Sequence, residues 1–219
     1  ELRGLREILV LGVPVGIQTS LEAWAFLGAA LIAGRLGTEA LAAHTIVLNL
    51  AALAFMLPLG IALAAVTRVG NLIGARRPQD AQRAAWVALA LGAAVMTASA
   101  ALFLLLRNEL PRLYTPDLAV GALAASILPI AAAFQIFDGV QVVGCGVLRG
   151  MGRTRPAAVF NAISYWLLGI PLGAWLALRA DWGLAGVWWG LCFGLALVAA
   201  LLVLWIRVRG PARAALQLA

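Results

Sequence analysis

Long apolar runs separated by short polar connectors fill the chain. A bilayer core about 30 Å thick is crossed by roughly 20 apolar residues in a helix, and six runs reach that length. None alternates with the period of two shown by membrane barrel strands, and each is more than twice as long as such a strand. The pattern predicts six membrane-spanning helices, at about residues 8–34, 40–67, 84–106, 118–148, 157–178 and 183–206.

Composition agrees with this pattern and excludes a water-soluble protein. Of the 219 residues, 64% are hydrophobic and 11% charged, whereas soluble domains are about 45–50% apolar and about 25% charged. The runs occupy the whole chain rather than one end, which excludes a lone secretory signal. We therefore predict an all-α integral membrane protein, a six-transmembrane-helix bundle that forms one domain over residues 1–219, with the lipid bilayer as its first partner.

All 16 basic residues are arginine, and the net charge is +7. Most arginines lie between apolar runs and not on one basic face, so we do not expect a nucleic-acid partner. Six spans place both termini on one side, and 12 of the 16 arginines fall on that side. The positive-inside rule then predicts cytoplasmic termini. Alanine-rich, lysine-free composition is typical of a high-GC bacterium, which makes the inner membrane the expected location.

Other residues near or within the spans have ordinary structural interpretations. Cys145 and Cys192 lie inside apolar runs without metal-ligand spacing and are predicted as small core residues. Prolines within or near the start of spans favour kinks; they are Pro14, Pro58, Pro129 and Pro171. Tryptophans near the span ends are expected at the membrane interface; they are Trp86, Trp182, Trp188 and Trp205. Arg68 and Arg149 are expected to anchor helix ends there.

Glu22 and Asp138 are the only carboxylates deep inside the predicted spans. A charged side chain at mid-bilayer costs about 2.5–3.5 kcal/mol on insertion scales, so such a residue usually has a task or a partner. Counting along ideal helices from the span ends places both residues near the middle of the membrane. Desolvation and like-charge repulsion prevent both from staying ionised at low cost. The pair is therefore predicted to take up a proton or to collect a cation such as Na⁺, the alternative being a structural carboxylate bonded to a neighbouring helix.

Uncharged polar residues could line the same space. Gln18 shares a helix face with Glu22, and Gln135, Asp138 and Gln141 form a stripe at three-residue spacing. A polar stripe on an apolar helix faces protein or water rather than lipid. Asn49, Asn161 and Tyr165 complete the expected polar set. For each single amide, a hydrogen bond between packed helices is the alternative. His44, near the outer end of the second span, is a packing residue or a proton relay.

Several motifs in this order resemble a known family. They are Leu36-Gly-Thr-Glu-Ala-Leu-Ala-Ala-His44 followed by Asn49, then Phe55-Met-Leu-Pro-Leu-Gly-Ile61, Arg68-Val-Gly-Asn-Leu-Ile-Gly-Ala75 and the run from Asp138 to Pro156. Tyr165-Trp166, Gly169-Ile-Pro171 and Gly173 fit as well. Together these motifs strongly resemble the multidrug and toxic compound extrusion (MATE) family, NorM-like branch.

The resemblance implies a fold and a function. MATE proteins are twelve-helix antiporters of two six-helix lobes facing each other across a central cavity, and this chain resembles the second lobe, helices seven to twelve. It would be the C-terminal half of a multidrug efflux antiporter coupled to H⁺ or Na⁺ and working by alternating access. Its partners would be an N-terminal lobe or a second copy, and amphipathic cationic small molecules. No cofactor and no enzymatic activity are expected.

The resemblance also assigns residues. Glu22 and Asp138 match the acidic residues of helices seven and ten that are implicated in binding the coupling cation. Some members place a tyrosine near this site, where Phe55 and Phe134 are the nearest candidates here and offer no hydroxyl oxygen. That departure favours a proton over Na⁺ at Glu22 and Asp138. The expected substrate cavity comprises Gln18, Asn49, Phe55, Phe134, Gln135, Asn161 and Tyr165.

Three other functions stay open. A lipid-linked sugar flippase of the same superfamily would need a basic cavity for a pyrophosphate, whereas the deep titratable groups here are acidic. A membrane-embedded enzyme would need a nucleophile with a base, or metal ligands at helical spacing. The chain has one histidine and no such pattern. The third is a non-transporting membrane subunit.

Overall fold

The computed structural model describes residues 2–214, and every regular element in that range is helical. Six helices are long and apolar enough to cross a membrane. They are α1 (Leu2–Arg35), α2 (Thr38–Gly74), α3 (Pro78–Leu105), α4 (Leu118–Gly150), α5 (Arg155–Leu178) and α6 (Gly183–Arg209). A 3₁₀ turn at Pro111–Leu113 and a short helix, α7 (Pro211–Ala214), complete the described elements. The predicted all-α, six-helix membrane fold is confirmed.

The predicted spans coincide with the apolar middles of these helices, which extend further at several ends. For example, α2 continues to Gly74 and α3 already begins at Pro78. Hydropathy detects only the part of a helix that crosses hydrocarbon, whereas a helix continues into the polar interface until a turn residue ends it. Glu1 and residues 215–219, at the ends of the predicted domain, lie outside the described residues.

Helix α4 is the centre of the bundle. It packs most extensively against α2, α3 and α6, and it is the most buried of the six long helices. Glycines on its different faces allow this: a Cβ on Gly146 would lie 2.6 Å from the carbonyl oxygen of Ala62 in α2, and one on Gly139 would lie 2.7 Å from that of Gly92 in α3. Because lipid offers no hydrophobic drive for helix association, such close backbone contact supplies the packing.

Helix α1 is the least buried of the six long helices. Its contacts are mainly with α5, and fewer are with α2 and α6. One face, with Ala25, Ala29 and Ala33, is fully buried, while large apolar side chains such as Trp24 and Leu31 are exposed. The helix that carries Glu22 therefore packs along one narrow stripe of small residues, and hydrogen bonds at Gln18, Leu21 and Glu22 add links to α4 and α5.

Helix α5 contains a feature that the sequence analysis did not predict. Residues Ala162–Gly169 form wide π-type turns between two α-helical parts. Pro171 follows directly and lacks the N–H that would continue the α-helical ladder, and local widening of this kind is one way in which helices accommodate a proline. By contrast, Pro14, Pro58 and Pro129 lie inside helices that stay α-helical on both sides of the proline, and each leaves out only the backbone hydrogen bond that proline cannot donate.

Two similar turns lie at one end of the bundle, which we call the arginine-rich end (residues 75–77, residues 151–154 and the C-terminal end of α6). In each turn one residue has a positive φ, 58° at Arg76 and 67° at Gly152. The next residue, Arg77 or Arg153, donates its backbone N–H to a carbonyl one turn back inside the preceding helix at 2.9 Å. Both helices thus end in a Schellman-type cap.

The prediction that Trp188 lies at the membrane interface is wrong. Its side chain is fully buried, with its ring 5.7 Å from Phe134 of α4 and 5.7 Å from His44 of α2. It lies on the face of α6 that packs against the centre of the bundle. The prediction used only the distance of Trp188 from the end of the span, and that distance does not show which way the side chain points. Trp182, by contrast, is exposed.

A substitution at the contact between α5 and α6 tests this packing. A Cβ on Gly190 of α6 would overlap the backbone of Gly173 in α5. We expect Gly190→Ala to destabilise the protein by about 1–3 kcal/mol, the usual cost of overpacking. Thermal unfolding of the purified protein in detergent measures the effect. The matched control is Gly121→Ala in α4, where an added Cβ meets nothing within 4 Å; equal stability of the two variants would contradict the close contact.

Candidate functional site

Glu22 of α1 and Asp138 of α4 come together inside the bundle, and we call them the carboxylate pair. Asp138 is buried, with 5% of its surface exposed, and Glu22 is half-buried. The two carboxyl groups lie close enough to act on each other electrostatically. Within residues 2–214 neither carboxylate takes part in a salt bridge. The fold therefore concentrates acidic groups from two helices with no directly paired cation.

An amide joins the two helices beside the pair. Gln141, one turn after Asp138 on α4, donates its Nε2 hydrogen to Oε2 of Glu22 across a long distance of 3.4 Å. The other amide atom, Oε1 of Gln141, is buried without a hydrogen-bond partner. The predicted polar stripe on α4 thus faces Glu22 of α1 and not lipid.

A second polar contact lies one turn towards the arginine-rich end. Gln18, 2% exposed, donates Nε2 to Sγ of Cys145 at 3.1 Å. Its Oε1 accepts from Nη2 of Arg149 at 3.4 Å. The structure differs here from the expected interfacial anchor, because the Arg149 guanidinium reaches inwards, its Nε is buried, and it lies within electrostatic reach of Glu22. Arg68, by contrast, is exposed.

Tyr165 brings a hydroxyl group to the same region. It is fully buried in the wide segment of α5, and its hydroxyl has no hydrogen-bond partner within residues 2–214. It lies within electrostatic reach of both Glu22 and Asp138. Phe134, where the resemblance led us to look for a hydroxyl, packs instead against Phe26 and Trp188. The oxygen missing from that helix is therefore available from α5.

Several more buried polar atoms lack partners. Both amide atoms of Gln135 are buried and unpaired, as are Oγ of Ser164 and Oδ1 of Asn161. Asn161 donates its Nδ2 hydrogen to the carbonyl oxygen of Ala157 at 3.0 Å. Ser164 was missed in the sequence, although its spacing from Asn161 and Tyr165 places the three on one helix face. Leaving a buried polar group unpaired costs about 1–3 kcal/mol, so these atoms indicate a region suited to water or ions.

Two residues of the expected cavity lie apart from the buried polar region. Asn49 is exposed on α2, and Phe55 is half-buried against the core. The remaining members of that set are buried inside the bundle; they are Gln18, Phe134, Gln135, Asn161 and Tyr165. The polar residues predicted to share one space therefore divide into a buried cluster and a surface position on α2.

His44 belongs to an aromatic cluster and not to the carboxylate pair. It is 1% exposed, and neither ring nitrogen has a hydrogen-bond partner among the described residues. The nearby rings of Trp188 and Phe134 form an apolar wall on its side of the bundle. Its surroundings are those of a packing residue.

The donor atoms define what the site can bind. Residues 2–214 contain no cluster of three or more histidine, cysteine or carboxylate residues that could hold a metal ion. The carboxylate pair and its neighbours offer oxygen atoms from two acids, amides and one hydroxyl. Such a set can hold a proton on a carboxyl group or surround a hard monovalent cation, and loading either one reduces the net negative charge.

Comparison with known proteins identifies the family. The MatE family model matches residues 14–175. The chain is 46% identical over 207 residues to the multidrug resistance protein NorM of Burkholderia vietnamiensis, covering 92% of this chain and 45% of the relative. It is 42% identical over 211 residues to the probable multidrug resistance protein NorM of Xanthomonas campestris pv. campestris, covering 96% of this chain and 46% of the relative.

A solved structure of a MATE transporter is also similar to this chain. The crystal structure of the eukaryotic MATE transporter AtDTX14 superimposes with a TM-score of 0.90 at 28% sequence identity, covering 99% of this chain and 49% of that one. The chain thus spans about half the length of the relatives it matches. Those relatives are named as multidrug resistance proteins and a transporter rather than as enzymes. The family model covers well over half of the chain, and the chain belongs to the MatE family.

Proposed function

We propose that this chain is the C-terminal lobe of a cation-coupled multidrug efflux antiporter, one six-helix domain over residues 1–219. The observation that carries the proposal is the meeting of Glu22 and Asp138 in a buried region with amide and hydroxyl groups that lack partners. The names of the NorM relatives support efflux of drug-like molecules. The central cavity would be completed by an N-terminal lobe of the same full-length chain or by a second copy.

The coupling mechanism follows from the charge of the pair. When both carboxylates are ionised, their repulsion and desolvation oppose close packing of α1 on α4. Uptake of one cation removes most of that repulsion and lets the helices close. Helix α4 is held on several faces, whereas α1 is held along one stripe. The loaded and empty states therefore differ chiefly in the position of α1, which is the bistable element that alternating access requires.

Substrate recognition would use surfaces outside the carboxylate pair in addition to the pair itself. The exposed face of α2 with Asn49, together with half-buried Phe55, would line the cavity between the lobes. An apolar wall suits the hydrophobic body of an amphipathic molecule, while the carboxylates attract its positive charge. Cation and substrate then compete for the negative charge of the pair, and loading one favours release of the other.

We infer that the coupling ion is H⁺. A proton requires only one carboxyl oxygen, whereas Na⁺ requires several oxygen ligands at once. Next to the pair, Gln141 turns its Nε2 hydrogen and not its oxygen towards Glu22, and Gln18 is engaged with Cys145 and Arg149. These amides are therefore oriented for a negatively charged or protonated carboxyl group and not for a metal cation.

We further propose the bacterial inner membrane as the location, with both termini in the cytoplasm. The arginine-rich end carries the connectors and helix ends that hold most of the arginines. The positive-inside rule assigns that end to the cytoplasmic side. The bacterial source of the NorM relatives supports this location.

The carboxylate pair can be tested directly. In the complete two-lobe protein reconstituted in vesicles, we expect Asp138→Asn and Glu22→Gln each to reduce gradient-driven efflux of a cationic dye to the level of empty vesicles, because neither variant can cycle its charge. Glu39→Gln is the matched control, since Glu39 is exposed in the first turn of α2. Undiminished efflux by Asp138→Asn would remove this residue from the mechanism. Movement of a lipid-linked sugar instead of the dye would favour the flippase alternative.

The identity of the ion has its own test. We expect an imposed pH gradient in Na⁺-free medium to drive dye efflux at the full rate, and an imposed Na⁺ gradient at constant pH to drive none. The measurement is dye efflux from the same vesicles under each gradient. Transport that requires Na⁺ would contradict proton coupling while leaving the carboxylate pair in place.

The hydroxyl of Tyr165 gives a third test. Removing one hydrogen-bonding group near a charge costs about 1 kcal/mol, or about fivefold in an equilibrium constant. The hydroxyl has no partner among the described residues, and we propose that it donates to the ionised carboxylate in the empty state, so Tyr165→Phe should lower the proton concentration for half-maximal efflux by about fivefold. Tyr114→Phe is the matched control, because Tyr114 is 46% exposed in a connector. An unchanged pH profile for Tyr165→Phe would show that the hydroxyl only fills space.

A further inference from the structure

A cavity lined by arginines lies at the arginine-rich end, away from the carboxylate pair. The cavity, of about 730 Å³, is enclosed by the first part of α1, the turn between α4 and α5, and the last turns of α6. Its polar lining comes from Arg153, Thr154 and Arg155 in the turn and from Arg209 of α6. Leu11 of α1 and Trp205 of α6 contribute apolar walls. Residues of α1, of α6 and of the connection between α4 and α5 thus share one basic cavity.

The charge of this cavity is uncompensated within the described residues. No acidic residue whose side chain the structure describes lines it, and none of its three arginines takes part in a salt bridge with such a residue. A second cavity at the same end, of about 520 Å³, lies between α2 and α3 and is also lined by three arginines, Arg68, Arg77 and Arg83. There Asp80 lies 2.8 Å from Arg77 and 3.8 Å from Arg83. The two cavities therefore differ in net charge although they contain equal numbers of arginines.

The chemistry of the first cavity matches a phosphate group attached to an apolar body. Arginine binds phosphate oxygens through two parallel N–H donors, and a neighbouring hydroxyl such as that of Thr154 can add a third. Tryptophan is the residue that favours the depth of lipid headgroups. Leu11 lies on a helix whose neighbouring side chains are exposed, so the apolar side of the cavity is open at the surface of the described residues. A free anion would leave that apolar side unused.

We propose that this cavity binds the headgroup phosphate of an anionic phospholipid from the leaflet at the arginine-rich end. The bound lipid places one negative charge among the three arginines and joins the first part of α1 to the α4–α5 turn and to α6. Because α1 is otherwise the most weakly held helix, the lipid braces it against the rest of the lobe. This binding does not depend on transport, so it stands or falls separately from the proposed function.

The test is lipid binding to the complete detergent-purified protein, measured by native mass spectrometry with phosphatidylglycerol and phosphatidylcholine. We expect phosphatidylglycerol to bind more tightly than phosphatidylcholine, and the affinity to fall about fivefold for each arginine removed. The variants are Arg153→Gln alone and the triple variant Arg153→Gln, Arg155→Gln and Arg209→Gln. The matched control, Arg68→Gln with Arg77→Gln and Arg83→Gln, removes three arginines from the cavity that contains Asp80 and should leave phosphatidylglycerol binding unchanged.

Each other outcome contradicts the proposal. Equal affinity for the two lipids would exclude recognition of the headgroup charge. An equal loss of phosphatidylglycerol affinity in the control variant would show that the lipid is attracted by basic surface charge in general and not by this cavity. Displacement of the lipid by inorganic phosphate at similar concentration would identify a free anion as the occupant. Arg153 is exposed in a turn, so its single variant should fold even if the triple variant does not.

Discussion

A carboxyl group inside hydrocarbon is expensive, by about 2.5–3.5 kcal/mol on insertion scales, and this cost governs the structure around Glu22 and Asp138. The lobe encloses Asp138 by packing other helices against α4 through glycine contacts too close for any side chain. It turns Glu22 towards the same interior, where Gln141 donates to it. Neither acid is left facing lipid alone, and each lies within the field of the other.

The protein encloses the carboxylate pair but leaves polar groups of the interior without hydrogen bonds within the described residues. Amide and hydroxyl atoms in the buried interior have no hydrogen-bond partner among residues 2–214, which is costly unless water or an ion enters. A rigid structural pair would be expected to satisfy these groups. Helix α4 is firmly packed and α1 lightly packed, which supports the proposal that α4 is the fixed side of the site and α1 the movable one. The basic cavity at the arginine-rich end is lined in part by the first part of the same helix, α1.

Much of the architecture could be predicted from the sequence because hydrocarbon thickness and helix geometry leave few choices. An apolar run of sufficient length must be a spanning helix, and polar residues at three- or four-residue spacing must share one face. That reasoning found the six spans, the inward stripe of Asp138 and Gln141, and the buried positions of Gln18 and Gln135. It did not find the wide turns of α5, which lie where Gly169 approaches Gly190 and Gly194 of α6, because such an approach between two helices leaves no periodic signal in the sequence.

The sequence by itself determined that this chain is a six-helix membrane protein with two acids near the middle of its spans. The length of an apolar run and the depth of a residue along it are properties of single helices. Only the tertiary structure decided which neighbour covers each face. It placed Trp188 in the centre and Asn49 at the surface, turned Arg149 inwards to Gln18, and brought the Tyr165 hydroxyl towards the pair. The physical reason is that helical spacing fixes the direction of a side chain on its own helix, whereas its partners depend on which helices pack together and how closely their backbones approach.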